Sequence, residues 1–277
     1  MDNKDQICPV SDLEAGLDSA KRIDSSQVEF AIKNFKNYYS LKDSSPPDYS
    51  AEAFIVSPEL MMNKIKIYIE YLNGEKFPEP LEENELRDLV FQLLGSNREK
   101  VSEKISNIYK KLEEEVEGIG GICIPLDGKK SFIFIKENRV LKMEDEDVLK
   151  HEVLHGMARK DSGDVGFKNA ARWGRGLDEA TTEILRLGEK YPGYSLDELC
   201  KMILRGEVVF AYQKEVAALL GALTLCSEEN KFTIKEIAEY YFDSRPESGT
   251  LFEFEVLKRI PQTSQENIIS YFDKYLN

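Results

Sequence analysis

The sequence predicts an α+β protein, predominantly helical, with a helical N-terminal part over residues 1–115 and an α+β part over residues 116–277. Three observations carry this. Apolar residues recur at three- and four-residue spacing along most of the chain. From Ile119 to Lys136 the character changes to β-branched and aromatic residues, broken by Asp127-Gly128, the strongest short hairpin signal. After Arg139 the helical spacing returns and continues to the end.

The first twenty or so residues are polar and are expected to be mobile. A helix is expected from Ser26 to Tyr39, where Val28, Ala31, Phe35 and Tyr39 share a face and Asp24 to Ser26 offer caps. The run Asp43 to Asp48, with two prolines, breaks the chain. Ser57-Pro58-Glu59 reads as an N-cap followed by proline in the first turn. The segment it opens ends at Asn73-Gly74, but Ile65 to Glu70 alternates, so a strand stays open there. Helices follow over Glu82 to Leu94 and Arg98 to Glu117, then two strands, Ile119 to Leu126 and Ser131 to Lys136. The soft boundary between the two parts falls near residue 116.

Charge narrows the function classes. The chain carries 37 Lys and Arg against 51 Asp and Glu, a net charge of −14. Such a surface repels phosphate backbones and anionic lipid, so neither nucleic acid nor membrane is an expected partner. Solubility is the plainer meaning of the acidity. No basic or apolar leader opens the sequence and no stretch reaches the length of a membrane span. A cytoplasmic protein is expected, with signal-independent secretion left open. Cys8, Cys123, Cys200 and Cys226 are far apart and form no CxxC pair, as reduced thiols would be.

The chain has two histidines, and both fall in His151-Glu152-Val153-Leu154-His155. Glu144 to Asp147 and Arg159-Lys160 suit the two ends of a helix dipole, and Asp161-Ser162-Gly163 stops the helix. Histidines at i and i+4 lie one above the other, so both imidazoles reach one metal. Glu152 is one step round, close to a metal-bound water without being a ligand. A solvated helix carrying two histidines is the plainer alternative.

A second helix bears Gly176-Leu177-Asp178-Glu179-Ala180-Thr181-Thr182-Glu183, with Leu177, Ala180, Ile184 and Leu187 as its apolar stripe. Catalytic zinc takes three protein ligands and keeps one position open. Glu179 supplies the third ligand to a single Zn2+ per chain. Glu183, one turn on, is placed to accept a hydrogen bond from the far ring nitrogen of a zinc histidine. Two glutamates on a solvated face are the alternative in so acidic a chain.

In these residues the chain resembles the gluzincins, zinc metallopeptidases in which H-E-x-x-H is followed by a helix bearing a ligand glutamate. Their second pattern is roughly G-x-x-N-E-x-x-[ST]-D. This chain has one residue fewer after Gly176, Asp178 for asparagine and Glu183 for aspartate. The resemblance covers residues 119 to 190. It implies a zincin-like catalytic domain, a small sheet beside two zinc-bearing helices, with helices after it, acting on peptide or protein substrates. In that arrangement an edge strand pairs with the extended substrate. Phe132 to Ile135 is the candidate for a strand close to the site, with an ordinary buried strand as the alternative.

The implied mechanism has Glu152 take a proton from the zinc water and return it to the leaving amine. An oxyanion donor is also needed, and gluzincins often use a histidine or tyrosine. Tyr212 resembles a tyrosine downstream of the second glutamate in small bacterial gluzincin-like proteins. Tyr191 and Tyr194 compete with it, and packing is the plainer role of each. A metzincin-like reading makes Asp161 the third ligand, but Ala158 stands where that pattern turns on glycine. Arg172 and Arg175 could meet a substrate carboxylate or simply lie in a solvated loop. A thiolate at Cys8 could hold the site latent, though a mobile lone cysteine is commoner. A narrowly specific protease shares this chemistry. A non-catalytic zincin-like interaction module does not.

Overall fold

Ser57 begins a helix in the computed structural model, its hydroxyl accepting from the Leu60 N–H at 3.2 Å. The structure describes residues 10–41, 49–73, 120–126, 130–137, 143–159, 166–168, 172–208 and 210–276. The expected helices over 82–94 and 98–117, and the Asp127-Gly128 turn, lie outside these residues.

The elements run α1 (Val10–Glu14), β1 (Lys21–Arg22), α2 (Ser25–Tyr38), β2 (Ser50–Val56), α3 (Pro58–Asn73), β3 (Gly121–Pro125) and β4 (Lys130–Lys136). They continue α4 (Asp145–Met157), α5 (Gly174–Lys190), α6 (Leu196–Leu204), α7 (Gln213–Thr224), α8 (Ile234–Tyr241), α9 (Ser248–Arg259) and α10 (Gln262–Tyr275). The fold is α+β and mostly helical, with one small mixed sheet among the described residues. The chain forms two compact units, Met1–Phe30 with Asp48–Gly156 and Ala31–Pro47 with Met157–Asn277.

In the first unit the strand order is β1-β2-β4-β3. β2 runs parallel to β4, with Phe54 opposite Phe134, and β3 runs antiparallel to β4, with Ile122 opposite Phe134. The sheet therefore takes β1 and β2 from well before residue 116. Alternation sorts its side chains. Phe54, Val56, Ile124, Phe132 and Phe134 bury against Leu13 of α1 and Met61 and Ile65 of α3. Phe54, Phe132 and Phe134 sit 5.9–6.0 Å apart, ring to ring, each burial contributing about 1.5–3 kcal/mol. Ile65 to Glu70 is thus helix, not strand: its i, i+4 spacing from Met61 matches the buried face.

The other sheet face meets α4. A Cβ on Gly121 would stand 2.8 Å from Val148 and 2.9 Å from the Glu152 carboxylate. Tyr49, just before β2, is buried with its hydroxyl against Gly156 of α4, where a Cβ would lie only 1.9 Å away. Gly156→Ala is therefore expected to cost about 1–3 kcal/mol by overpacking. Urea unfolding measures this, and an unchanged midpoint would mean the Tyr49 ring has room to retreat.

In the second unit α5 is buried along its whole middle, from Gly176 to Gly188. The expected stripe of Leu177, Ala180, Ile184 and Leu187 is at most 1% exposed. The opposite, polar side is buried too, with Asp178, Glu179, Thr181, Thr182, Glu183 and Arg186 all inside. Tyr39 donates its hydroxyl proton to the Leu185 carbonyl, tying the end of α2 to α5.

Candidate metal centre

α4 begins with Asp145, Glu146 and Asp147, which oppose the positive end of the helix dipole. Six residues on, His151, Glu152 and His155 are buried at 4%, 6% and 4% exposure. A solvated helix face is thereby excluded. The two Nε2 atoms lie 3.1 Å apart. Ligand nitrogens about 2.05 Å from a tetrahedral zinc would be separated by about 3.3 Å, so the pair fits one ion closely.

Glu179 is 2% exposed on α5. His151, His155 and Glu179 form a buried group whose ligand atoms all lie within 4.8 Å of one another, an arrangement able to hold a metal ion. Two neutral imidazoles and one carboxylate are a common donor set for catalytic zinc. Glu152 points instead toward β3, where the bare Gly121 leaves space for its carboxylate. Asp161 falls within 160–165, outside the described residues, as does Cys8.

Asp178 has its own task. Its Oδ1 accepts the Phe167 N–H at 2.8 Å. Gly166 next to it has φ +55°, and a Cβ there would sit 1.8 Å from that oxygen. The Thr182 hydroxyl bonds the Asp178 carbonyl at 2.8 Å and the Tyr241 hydroxyl at 2.6 Å. Burial, reinforced by the nearby Asp178 charge, raises the Tyr241 pKa well above its ordinary value.

Glu183 grips Arg186 with both oxygens, at 2.9 and 2.7 Å. Its Oε1 also accepts the Ala211 N–H at 3.0 Å. The segment just before Tyr212 is thus bound to α5. Tyr212 itself is half-buried and left-handed, with φ 51° and ψ 47°. Tyr191 caps the far end of α5, twelve residues and about 18 Å along the axis from Glu179. Tyr194 packs against Tyr191 edge to face and is 44% exposed. Neither competitor is near Glu179.

Phe132 to Ile135 forms a strand as expected, but not one with a free edge for an extended substrate. It is β4, interior to the sheet, because β2, which the sequence pattern did not reveal, pairs along its free side. The terminal strand beside Glu152 is β3. Arg172 is also occupied, by two bonds to Asp273 at 2.9 and 2.7 Å. Gly121, Tyr49 and Arg186 were not singled out from sequence. The Gly120-Gly121 pair opening a strand was the one available signal.

Glu253 completes the start of α5, its Oε1 accepting the N–H groups of Arg172 and Trp173 at 3.2 and 2.8 Å. Burial raises its pKa above the usual carboxylate value, opposed by those two bonds. A carboxyl with a raised folded-state pKa holds its proton more tightly when folded. It contributes stability below the ordinary carboxylate pKa, and that contribution is lost as pH rises through the folded value. Glu253→Gln keeps an acceptor oxygen and removes the charge. Its Tm should rise over wild type at neutral pH, with no gain near pH 4. Equal shifts at both pH values would refute the raised pKa.

No helix among the described residues is long and apolar enough to cross a membrane. Compared with known protein families, curated proteins and solved structures, the chain matches none.

Proposed function

We propose that this protein is a zinc-dependent peptidase in which His151, His155 and Glu179 hold the ion and Glu152 is the general base. The observation that carries the reading is the buried His151–His155–Glu179 group with Glu152 one residue from a ligand. Bound zinc would supply Lewis acidity and a water acidified toward neutral pH. Glu152 would take a proton from the attacking water and pass it to the leaving amine. Tyr212 would donate a hydrogen bond to the developing oxyanion.

Substrate would lie along β3. This strand ends the sheet order among the described residues, and its Gly121 touches Glu152. An extended peptide adding to that edge would gain main-chain hydrogen bonds and bring its carbonyls to Glu152. The acidic surface favours basic or neutral peptides over acidic ones.

The test uses the full chain with a mixed library of internally quenched fluorescent peptides. Hydrolysis that stops with a zinc chelator and returns on adding zinc supports the reading. A protein that binds one zinc yet cleaves nothing favours the non-catalytic interaction module. One that binds no zinc after reconstitution overturns the site.

A further inference from the structure

Glu183 and Arg186 are both fully buried, a costly place for two charges. An apolar pair of similar volume would hold α5 in its core as well, so stability alone does not account for them. What an apolar pair cannot do is accept a backbone proton. Glu183 Oε1 accepts one from Ala211, 3.0 Å away, while Arg186 holds both carboxylate oxygens in a two-point grip. The next residue, Tyr212, is one of two non-glycine residues with positive φ among those described. A tyrosine rests in that conformation only where its surroundings impose it.

The geometry is specific in another way. Glu183 lies one turn beyond Glu179 on the same face of α5, about 6 Å further along the axis. The bond to Ala211 therefore brings the start of α7 to the face that carries the Glu179 ligand. We propose that Glu183 and Arg186 are positioning residues. They clamp the chain at Ala211, and this holds Tyr212 in the left-handed conformation that presents its hydroxyl to the reacting carbonyl. The proposal rests on the peptidase reading. It gives Glu183 a task other than orienting a zinc histidine.

The test replaces the pair together, Glu183→Leu with Arg186→Met, so that no lone charge is left buried. Three quantities are read: zinc per chain, amide hydrogen exchange over residues 210–213, and kcat and KM on the quenched peptides. Zinc should stay at about one per chain and KM within about threefold. Exchange at Ala211 should quicken at least about tenfold. The kcat should fall about a hundredfold, the scale of losing one oxyanion donor. Tyr212→Phe should cause a similar loss, and adding it to the apolar pair should cause little more, because both act through one hydroxyl.

Glu183→Gln provides a second route if the double variant folds poorly. It keeps an acceptor for Ala211 and should retain most of the kcat while lowering Tm. Unchanged exchange at Ala211 in the apolar variant, or full kcat there while Tyr212→Phe is impaired, overturns the clamp. Loss of zinc from the apolar variant overturns it as well, since the pair would then be serving the metal. A wild-type chain that cleaves no peptide defeats the peptidase reading, and the catalytic part of the proposal with it. The exchange result still decides whether Glu183 holds Ala211.

Discussion

Glu152→Gln is expected to reduce peptide hydrolysis by about a thousandfold while leaving about one zinc per chain. General-base catalysis contributes roughly 10²–10⁴-fold, and glutamine has nearly the same shape but cannot take up a proton. The local structure should tolerate the change. Glu152 is 6% exposed and fits beside Gly121, which has no side chain to collide with the amide. Elemental analysis and circular dichroism would confirm that metal and fold are kept. A variant that keeps both and also keeps wild-type hydrolysis would sink Glu152 as the base. Loss of zinc with activity would instead make it a ligand or a support for one.

Glu179→Ala should empty the site. On the proposed site a metal would lose one of three protein ligands, and the two histidines left behind would give a far weaker donor set. Loss of a residue that merely supports a ligand weakens binding by about 10–100-fold, so loss of a ligand should exceed that. Zinc content after dialysis should fall from about one per chain to a small fraction. Removing a carboxylate from a buried position should not unfold the chain, since α5 is packed through Leu177, Ala180, Ile184 and Leu187. Asp161→Ala should retain its zinc. The opposite pattern, with zinc kept in Glu179→Ala and lost in Asp161→Ala, would transfer the third ligand to Asp161. That outcome would also remove the reason for placing Tyr212 at the site.

The two predictions separate metal holding from chemistry. One acts on Glu179, proposed to hold the metal, the other on Glu152, the sequence neighbour of His151.

Much of this site was legible in the sequence because helix periodicity is local. His151 and His155 share a face whatever packs around them, and Glu152 falls one step round for the same reason. The Ser57-Pro58-Glu59 start, the α5 stripe and the β3–β4 strands depend on neighbours within a few residues, so they too could be read directly. What only tertiary structure decided depends on residues distant in sequence. β2 pairs with β4 across some eighty residues and makes it an interior strand, leaving the edge to β3. A solvated face was the alternative for the two glutamates of α5, and their burial rules it out: Asp178 meets Phe167 and Glu183 meets Ala211. Burial is a property of what a helix packs against, and the hydrophobic pattern reports only the apolar part of it. Periodicity therefore specified helices such as α2, α4 and α5 and the shared face of the two histidines. The bond from Ala211 to Glu183 and the space for Glu152 at Gly121 arose from long-range contacts that no local pattern encodes.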